Sequence, residues 1–322
     1  MMQKEVLVSV VVPVFNVGRY IETMLESVIH QTYNNLELIL VNDGSTDDSI
    51  KLAEVHLKAT NLNWRIISQT NSGQASARNH GIREAKGEWV ICPDSDDYIA
   101  KSMVERMMQV ADKEKVECVF SNFKYVTEDT IRTCLTVDDT STVLTSDEMK
   151  KHFFNRSLKI AAPAILMKKS LFERVWYDEN CPFTEDTHFI WRLLYEVDRI
   201  AYVTGDYYNY LMRNSSTIHT LKSEKYLRTS QIFEELSAKL SEKYPNDYYA
   251  GRIAPRQRLG SLRMLAKCND YDVFRETVLK DGYRKDMGKL VFCKDLKTSL
   301  HALIFCTSLK IYYKVVNKCM RH

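Results

Sequence analysis

Trp89-Val90-Ile91-Cys92-Pro93-Asp94-Ser95-Asp96-Asp97 is the stretch in which an apolar run ends in three carboxylates. The run predicts a buried strand, and acids so close to its exit repel one another unless a positive charge lies between them. Open α/β sheets bind their ligands at the carboxyl ends of the strands. Carboxylate oxygens at that edge suit Mg²⁺ or Mn²⁺ carried in with a diphosphate. The same acids could instead cap the following helix, and an Asp-x-Asp triplet alone is a weak signal.

Strand and helix patterns alternate on both sides of this stretch. The β-branched run over 6–12 predicts a strand that is covered on both faces. Further strands are predicted at 36–41, 64–68, 89–92, 117–122 and 160–167, and helices at 16–31, 45–58, 75–85, 102–113 and 188–196. In the first half this alternation predicts an α/β fold with a doubly wound, mostly parallel sheet and crossover helices on both faces.

The composition is that of a folded protein whose positive charge is concentrated at one end. The 322 residues are 45% hydrophobic and 27% charged, which excludes global disorder and favours one large domain with an appendage. The net charge is +3, yet residues 289–322 contain seven Lys or Arg and one acid. The eight cysteines include no C-x-x-C pair, which favours a reducing, cytoplasmic environment over a disulfide scaffold or a zinc site. The patterns predict neither a signal peptide nor a transmembrane helix.

The loops after the predicted strands indicate the kind of ligand. Neither a Gly-x-Gly-x-x-Gly motif nor a Gly-x-x-x-x-Gly-Lys-Ser/Thr loop is present, and Pro13-Val14-Phe15-Asn16 follows the first strand instead. Asp43 follows the second strand, and Asp94 and Asp96 follow the fourth. A carboxylate can accept hydrogen bonds from a nucleotide base or ribose, whereas it can hold a diphosphate only through a metal.

Four motifs in this order carry a resemblance to a known family. They are Val10-Val11-Val12-Pro13-Val14-Phe15-Asn16, Val41-Asn42-Asp43-Gly44-Ser45-Thr46-Asp47-Asp48-Ser49, Asn71-Ser72-Gly73 leading to Ala77-Arg78-Asn79-His80-Gly81-Ile82, and Asp94-Ser95-Asp96-Asp97. Together they resemble the inverting GT-A glycosyltransferases of family 2, which transfer a sugar from a nucleotide diphosphate donor. The resemblance implies a GT-A fold, in which a nucleotide-binding sheet is joined to a smaller acceptor-side sheet.

The resemblance also implies a domain organisation. Residues 1–220 would form the glycosyltransferase domain, with a nucleotide-binding half at 1–125 and an acceptor-side half at 126–220. Residues 221–322 would form a helical C-terminal region.

Several residues take donor-binding roles by this resemblance. Asp43 matches the acid that contacts the uracil and ribose, and Pro13 and Phe15 match the segment that lies along the base. Arg78 matches an arginine near the donor, where its guanidinium could pair with phosphate oxygens. The structural alternatives are a helix-capping turn for Asp43, a core position for Phe15 and a surface salt bridge for Arg78.

The metal site would use the strand-exit acids. Asp96 resembles the carboxylate that ligates Mn²⁺ or Mg²⁺, while Asp94 and the adjacent Ser95 would contact the donor. Asp94 could do so at the ribose or through a metal-bound water, and Asp97 is expected only to cap the next helix. His219 lies where many GT-A enzymes have a C-terminal histidine on the metal, although a lone histidine is more often a surface residue.

Thr184-Glu185-Asp186 resembles the motif that carries the family's catalytic base. Asp186 would accept the proton of the acceptor hydroxyl, and Glu185 would orient the acceptor. A threonine followed by two acids is also an ordinary helix start. We expect the pKa of the base to lie well below neutrality, as in a free carboxylate. The tyrosines within 207–210 either stack on a sugar ring or belong to the core.

The C-terminal segment predicts a basic amphipathic helix over 300–321. Lys310, Lys314 and Lys318 share one helix face, and apolar residues surround them on the others. Such a helix either lies on an anionic membrane surface or packs on the protein with a solvated lysine face. Basic motifs interleaved with aromatic residues are otherwise absent, so nucleic acid is not expected as a partner.

The sequence therefore predicts a cytoplasmic, metal-dependent glycosyltransferase with a peripheral association with the inner membrane face as one option. By resemblance its donor is a UDP-sugar, and its acceptor is a glycan or a polyprenyl-diphosphate-linked oligosaccharide in surface polysaccharide synthesis. A non-catalytic nucleotide-sugar or glycan-binding module would keep Asp43 and Asp96 without needing Asp186. A sugar nucleotidyltransferase is disfavoured because no glycine-rich, basic phosphate loop follows the first strand.

Overall fold

The computed structural model describes residues 6–127, 139–212, 222–281 and 284–318, without the side chains of 284–286. The chain forms two compact units. The first comprises Met1–Glu179 and Glu185–Arg213, and the second comprises Asn180–Thr184 and Asn214–His322. By its contacts the segment Asn180–Thr184 groups with the second unit, whereas the sequence analysis includes it in the transferase domain. The sequence-based boundaries of that domain and of its two halves stay a prediction.

Four parallel strands form the first half of the sheet, in the spatial order β3-β2-β1-β4. These strands are β1 (Val8–Val14), β2 (Leu36–Asn42), β3 (Asn63–Ser68) and β4 (Trp89–Ile91), and the helices between them are α1 (Ile21–Ile29), α2 (Ser49–Leu57) and α3 (Gln74–Glu84). Every residue of β1 is buried, as its run of β-branched side chains predicts for a strand covered on both faces. Because the four strands are parallel, their carboxyl ends meet at one edge.

The second half of the sheet is mixed. Its elements are β5 (Tyr98–Ile99), α4 (Met103–Glu114), β6 (Cys118–Val126), β7 (Ser141–Thr145), α5 (Ser146–Asn155), β8 (Ile165–Lys168), α6 (Glu185–Leu194) and β9 (Arg199–Leu211). The order continues from β4 through β8, β6 and β9 to β5, while β7 pairs with β9. β8 is antiparallel to both β4 and β6, and β6 is parallel to β9. The strands of the second half therefore continue the sheet of the first half.

The strand predicted at 160–167 is shorter in the structure. Ala162–Ala164 form a 3-10 turn, and β8 begins only at Ile165. Pro163 explains the difference, because proline has no N–H group to donate to the strand ladder.

Helix α3 packs closely on the sheet, which fixes the position of the side chains that this helix carries. Gly81 lies in this helix against β1 and β2, where a Cβ atom would come within 2.8 Å of Val41 Cγ2 and still closer to Val11 Cγ1. Only a residue without a side chain allows the helix to approach the strands this closely.

The second unit is helical in its described part. Its helices are α7 (Ser223–Lys243), α8 (Ile253–Cys268), α9 (Tyr271–Lys280), α10 (Arg284–Val291), α11 (Leu296–Thr307) and α12 (Leu309–Lys318). Arg258 is fully buried in this unit and pairs with Glu234 and Asp281. Over the described ranges, no helix combines the length and apolar character needed to cross a membrane.

The helix predicted over 300–321 is divided in the structure. Ser308 separates α11 from α12, and residues 319–322 lie outside the described ranges. Some of the apolar residues predicted to flank the lysines are buried in the structure, namely Phe305, Tyr312 and Val316. These side chains are used in packing because aromatic residues from different helices meet there, with Tyr312 edge-on to Phe305 and stacked on Phe274.

Candidate active site

Asp43 organises the loop between β3 and α3. Its side chain is buried at the end of β2 and accepts hydrogen bonds from Gln69 Nε2 at 2.9 Å, from the Ser72 N–H at 2.8 Å and from the Gly73 N–H at 2.9 Å. The imidazole of His80 contacts Gln69 Oε1 at 2.9 Å and so orients that amide. Asp43 does not cap α2, which follows Asp48 instead. Its predicted contact with uracil and ribose stays a prediction.

The loop after β1 leaves one aromatic side chain open to solvent. Phe15 is 47% exposed, which excludes the core position considered for it, while Pro13 is buried within β1. Asn16 follows with a φ of 51°, and its Oδ1 atom accepts a hydrogen bond from the Thr46 N–H at 2.9 Å. The exposed ring therefore stands on a loop that is tied to the neighbouring loop.

Asp97 accepts hydrogen bonds from a strand of the sheet and does not cap a helix. It is buried, accepts hydrogen bonds from the Tyr208 hydroxyl at 2.5 Å and the Leu211 N–H at 2.8 Å, and lies before Ser102, the residue that precedes α4. Loss of hydration, together with the charges of Asp94 and Asp96, raises the pKa of Asp97 well above its ordinary value. The expectation that Asp97 caps the next helix was wrong, because its carboxylate joins the turn formed by residues 94–97, called the acidic turn below, to β9.

The other members of the acidic turn differ in exposure. Ser95 is buried, whereas Asp94 and Asp96 are partly exposed. Asp94 Oδ1 accepts a hydrogen bond from Gln74 Nε2 at 2.7 Å, and the Asp94 N–H donates to the Tyr208 hydroxyl at 3.2 Å. Tyr208 therefore holds both ends of the turn.

Arg78 joins the acidic turn to the start of α6. Its side chain is fully buried, and Nη2 donates to Asp94 Oδ1 at 2.6 Å. Nη1 donates to Asp186 Oδ1 at 2.9 Å and to Glu185 Oε1 at 3.3 Å. Burial opposes the charged form, but the charges of Asp186 and Asp94 prevail and raise the pKa of Arg78 well above its ordinary value. A surface salt bridge is thus excluded, while the predicted pairing with phosphate stays a prediction.

The ring of Tyr177 lies against the guanidinium of Arg78, and Asn79 fixes the backbone of Tyr177. The guanidinium lies over the ring of Tyr177 at 5.1 Å, and that ring stacks on Phe189 of α6 with a centroid separation of 4.0 Å. Asn79 donates to the Tyr177 carbonyl at 2.9 Å and accepts from the Tyr177 N–H at 3.1 Å. The consecutive residues Arg78 and Asn79 therefore fix the segment that precedes α6.

Asp186 has the most exposed of the three carboxylates that Arg78 contacts. Its side chain is 32% exposed, more than that of Asp94 or Glu185. Loss of hydration, with the charges of Glu185 and Asp94, outweighs the opposing effect of Arg78 and raises the pKa of Asp186 to about 7. The expected pKa well below neutrality was wrong, because the sequence gives no indication that three carboxylates share one arginine.

The backbone before α6 differs from an ordinary helix start. Thr184 has a φ of 58°, which is rare for a β-branched residue, whereas N-cap residues are usually extended. Its hydroxyl accepts a hydrogen bond from Gln257 Nε2 at 2.6 Å within the second unit. An uncommon backbone conformation therefore directly precedes Glu185 and Asp186.

Aromatic side chains lie near the acidic residues. Tyr207 and Tyr208 are buried in the core. Tyr210 contacts Tyr125 edge-on, with the ring centroids 5.6 Å apart, and Tyr125 is exposed. Burial raises the pKa of Tyr210, and the charge of Asp94 adds to this effect, so its hydroxyl is within electrostatic reach of the acidic turn.

The acidic turn is suited to a divalent cation that is bound partly by the protein and partly by the phosphates of a substrate. Within the described ranges, no three His, Cys, Asp or Glu side chains are grouped so as to hold a metal by themselves. Mg²⁺ commonly uses one or two protein carboxylates together with substrate phosphates, and the partly exposed Asp96 offers such an oxygen. His219, the other predicted ligand, lies outside the described residues.

The sequence motifs do not single out Gln74 or Tyr177, and they predict Tyr208 only as a sugar-stacking or core residue. Gln74 and Tyr208 contact Asp94, and Tyr177 supports Arg78. Gln74 directly follows Gly73, the last residue of the Asn71-Ser72-Gly73 motif, and this position could have indicated that it belongs to the site. Tyr177 carried no such signal, and the pattern around Tyr208 gave no partner for its hydroxyl.

Known sequences place the chain among glycosyltransferases. The family model described as Glycosyl transferase family 2 matches residues 9–176. The uncharacterized glycosyltransferase EpsJ of Bacillus subtilis is 33% identical, and the match covers 63% of this chain and 60% of EpsJ. The glycosyltransferase GlyG of Streptococcus pneumoniae is 31% identical over 73% of this chain and 80% of its own length.

Solved structures support the same fold. S. aureus TarS 1-349 in complex with UDP-GlcNAc aligns with a TM-score of 0.64 at 18% identity, covering 98% of this chain and 91% of that one. The mannosyltransferase PcManGT from Pyrobaculum calidifontis, in complex with GDP-Man and Mn²⁺, aligns with a TM-score of 0.54 at 15% identity, covering 98% and 88%. Because the family model spans more than half of the chain and GlyG matches most of it, this chain belongs to glycosyl transferase family 2 and has the GT-A fold.

Proposed function

We propose that this protein is an inverting glycosyltransferase that transfers a sugar from a nucleotide diphosphate donor to a hydroxyl group of a glycan. The observation that supports it most is the convergence of Asp94 and Asp186 on the single guanidinium of Arg78. A carboxylate of the acidic turn and a partly exposed carboxylate of α6 are thereby kept next to each other. Donor and acceptor have to meet in such a place.

The donor would lie along the carboxyl edge of β1, β2 and β4. Phe15 offers an exposed ring for the base, and Asp43 orders the loop between β3 and α3. We propose a UDP-sugar on the basis of the family resemblance of these positions. The complex of TarS with UDP-GlcNAc is in line with this choice, whereas PcManGT was solved with GDP-Man. The nucleotide is therefore the first variable to test.

A divalent cation, Mn²⁺ or Mg²⁺, would be bound by Asp96 together with the donor diphosphate. Asp94, Glu185 and Asp186 surround one arginine, so the negative charge of this site exceeds its positive charge. That excess favours a cation over a bare diphosphate. When bound, the cation would neutralise the charge of the leaving nucleoside diphosphate. His219 is a further proposed ligand by family resemblance alone.

The transfer itself would be one displacement assisted by Asp186. Its carboxylate accepts the proton of the acceptor hydroxyl while that oxygen forms a bond to the anomeric carbon. The bond from the anomeric carbon to the diphosphate oxygen breaks on the opposite face, which inverts the configuration. A base whose pKa is about 7 is matched to this task near neutral pH. Glu185 would orient the acceptor, and Arg78 would keep the base beside the donor.

The acceptor would be a glycan, free or carried on a polyprenyl diphosphate, in the synthesis of a surface polysaccharide. Tyr125 and Tyr210 support the glycan class, because adjacent aromatic rings near the acidic turn can pack against a sugar ring. The lipid carrier and the inner membrane face follow from the family resemblance and the basic C-terminal segment.

Calorimetric titration tests the donor site. UDP, GDP and CDP are titrated separately into the protein with Mn²⁺ and with EDTA. We expect UDP to bind at least tenfold more tightly with Mn²⁺, and an Asp96→Asn variant to lose most of that gain. No binding of any nucleotide would refute the donor assignment, and equal binding in EDTA would refute the metal. The anomeric configuration of a product, read by NMR, tests inversion separately.

A further inference from the structure

Helix α11 presents an apolar face to solvent. Leu296, Leu300 and Leu303 are 83%, 55% and 47% exposed, and Phe292, shortly before the helix, is 94% exposed. Spacings of four and three residues put the three leucines on one face of the helix. Exposed single leucines are common, but a row of them led by an exposed phenylalanine is an apolar surface.

The opposite face of α11 is already used in packing. Thr298, Ala302 and Phe305 are buried, and Phe305 packs edge-on against Tyr312. The helix is thus apolar on both its packed and its exposed side. The exposed leucines are not needed to attach α11 to the described part of its own unit.

The segment that contains this face is strongly basic. Within 289–318 the structure describes six exposed lysines, namely Lys289, Lys294, Lys297, Lys310, Lys314 and Lys318. The single acid of this segment is Asp295, whose carboxylate accepts a hydrogen bond from the Thr298 N–H at 3.1 Å and so caps α11. Exposed apolar side chains on a segment rich in lysine match a lipid bilayer, whose apolar interior lies below an anionic layer of headgroups.

We propose that Phe292, Leu296, Leu300 and Leu303 form a docking surface for an anionic lipid bilayer. The helix lies in the plane of the interface, with these side chains at the boundary of the acyl chains and the lysines among the headgroups. This surface is distinct from the lysine stripe of α12, on which the sequence analysis based its membrane option. The proposal is independent of the transferase activity.

The charge pattern favours a bilayer over a second copy of this chain. A symmetric contact through this face would bring the lysines of both copies together, with only Asp295 to offset them. Anionic phospholipids supply the opposite charge in a continuous layer. Leucine and phenylalanine also gain from burial below the headgroups.

Vesicle cosedimentation with the full chain tests the proposal. Vesicles of phosphatidylcholine alone are compared with vesicles that also contain phosphatidylglycerol. We expect binding to the anionic vesicles that weakens as salt is raised. The variant Leu300→Ser/Leu303→Ser should bind at least tenfold more weakly, because both side chains lose their burial in the interface. Both positions are exposed, so the variant is expected to fold, which circular dichroism verifies.

A matched control comes from α9 of the same unit. Leu279 is 53% exposed, close to the exposure of Leu300, but lies outside the proposed surface. Leu279→Ser should bind the anionic vesicles as the unchanged protein does. Lys294→Gln/Lys297→Gln should weaken binding about fivefold per lysine.

Three results would overturn the proposal. They are absence of binding to anionic vesicles, equal binding by Leu300→Ser/Leu303→Ser, and an equal loss of binding by Leu279→Ser. Sedimentation velocity without vesicles tests the alternative, in which a second copy of this chain binds the apolar face. Self-association that Leu300→Ser/Leu303→Ser abolishes, in a protein that ignores vesicles, would assign the face to contacts between copies.

Discussion

Arg78 is one buried cation among three carboxylates, and this imbalance determines the chemistry of the residues around it. Asp186, the most exposed of the three carboxylates, has its pKa raised to about 7 by loss of hydration and by the charges of Glu185 and Asp94, against the opposing effect of Arg78. The pKa of the buried Asp97 is raised separately, by loss of hydration and by the charges of Asp94 and Asp96. Asp186 therefore gains proton affinity without losing access to an acceptor. A cation bound at Asp96 would relieve the remaining excess of negative charge.

The pH dependence of transfer follows from the pKa of Asp186. Below about pH 7 the carboxyl group is protonated and cannot accept a proton, so kcat/KM should rise through about pH 7 and level off above it. Glu185→Gln removes a charge that raises this pKa and should move the rise to lower pH. The measurement is a pH profile of kcat/KM for both proteins.

A distant acid provides the control for that profile. Glu54 is partly exposed on α2 and pairs only weakly with Lys58, at 3.4 Å. Glu54→Gln should leave the rise in kcat/KM where it is. A rise near pH 4 in the unchanged protein would contradict the account of Asp186.

Removal of the buried cation should cost stability. In Arg78→Met three carboxylates lose their shared partner, and we expect the free energy of unfolding to fall by about 3–5 kcal/mol. Arg83→Met is the matched control, because Arg83 lies on the same helix, is exposed and pairs with Glu179 only at 3.6 Å. Its loss should stay below about 1 kcal/mol. Urea unfolding followed by circular dichroism would contradict the account if the two variants lost equal stability.

At the scale of elements, α3 connects the sheet to the carboxylates of the candidate site. Its buried face lies against β1 and β2 through Gly81, while Arg78 and Asn79 reach the acidic turn and the segment before α6. A shift of this helix would move the guanidinium away from Asp94 and Asp186. The fit of one helix on two strands therefore controls the geometry of the site.

A methyl group at Gly81 tests this connection. Gly81→Ala should lower the free energy of unfolding by about 1–3 kcal/mol, because the new Cβ overlaps the stiff side chains of Val11 and Val41. Gly288→Ala in α10 is the control, since nothing lies within 4 Å of its Cβ position. That change should add about 0.5–1 kcal/mol of helix propensity. Thermal unfolding in which Gly81→Ala is as stable as the control would argue against the close packing.

At the scale of the whole molecule, the local sequence pattern predicted where strands and helices lie better than it predicted which strands pair in the sheet. The β-branched run over 6–12 and the apolar run at 89–92 indicated β1 and β4, and the parallel order of the first half follows from alternating strands and helices. The antiparallel insertion of β8 between β4 and β6 was not predicted. Its four residues are too few to reveal their pairing, which is fixed by contacts distant in the chain.

The same limit applies to the candidate site. The motifs single out Asp94 and Asp186 as candidates, but Arg78 lies 108 positions from Asp186 in the chain. Sequence spacing does not reveal a contact over that distance, nor the pKa that results from it. Asp97 was misjudged for the same reason, because Tyr208 and Leu211 reach it from β9.

The central claim is tested most directly by measuring two properties of the Asp186→Asn variant, namely its rate of sugar transfer and its affinity for the nucleotide donor. Asparagine keeps the shape and can accept the hydrogen bond from Arg78, but it cannot take the acceptor proton. We predict that kcat falls roughly 100- to 10,000-fold. The Kd for the nucleotide donor, measured by calorimetry, should remain within about twofold. Transfer at a near-normal rate by Asp186→Asn would contradict the account.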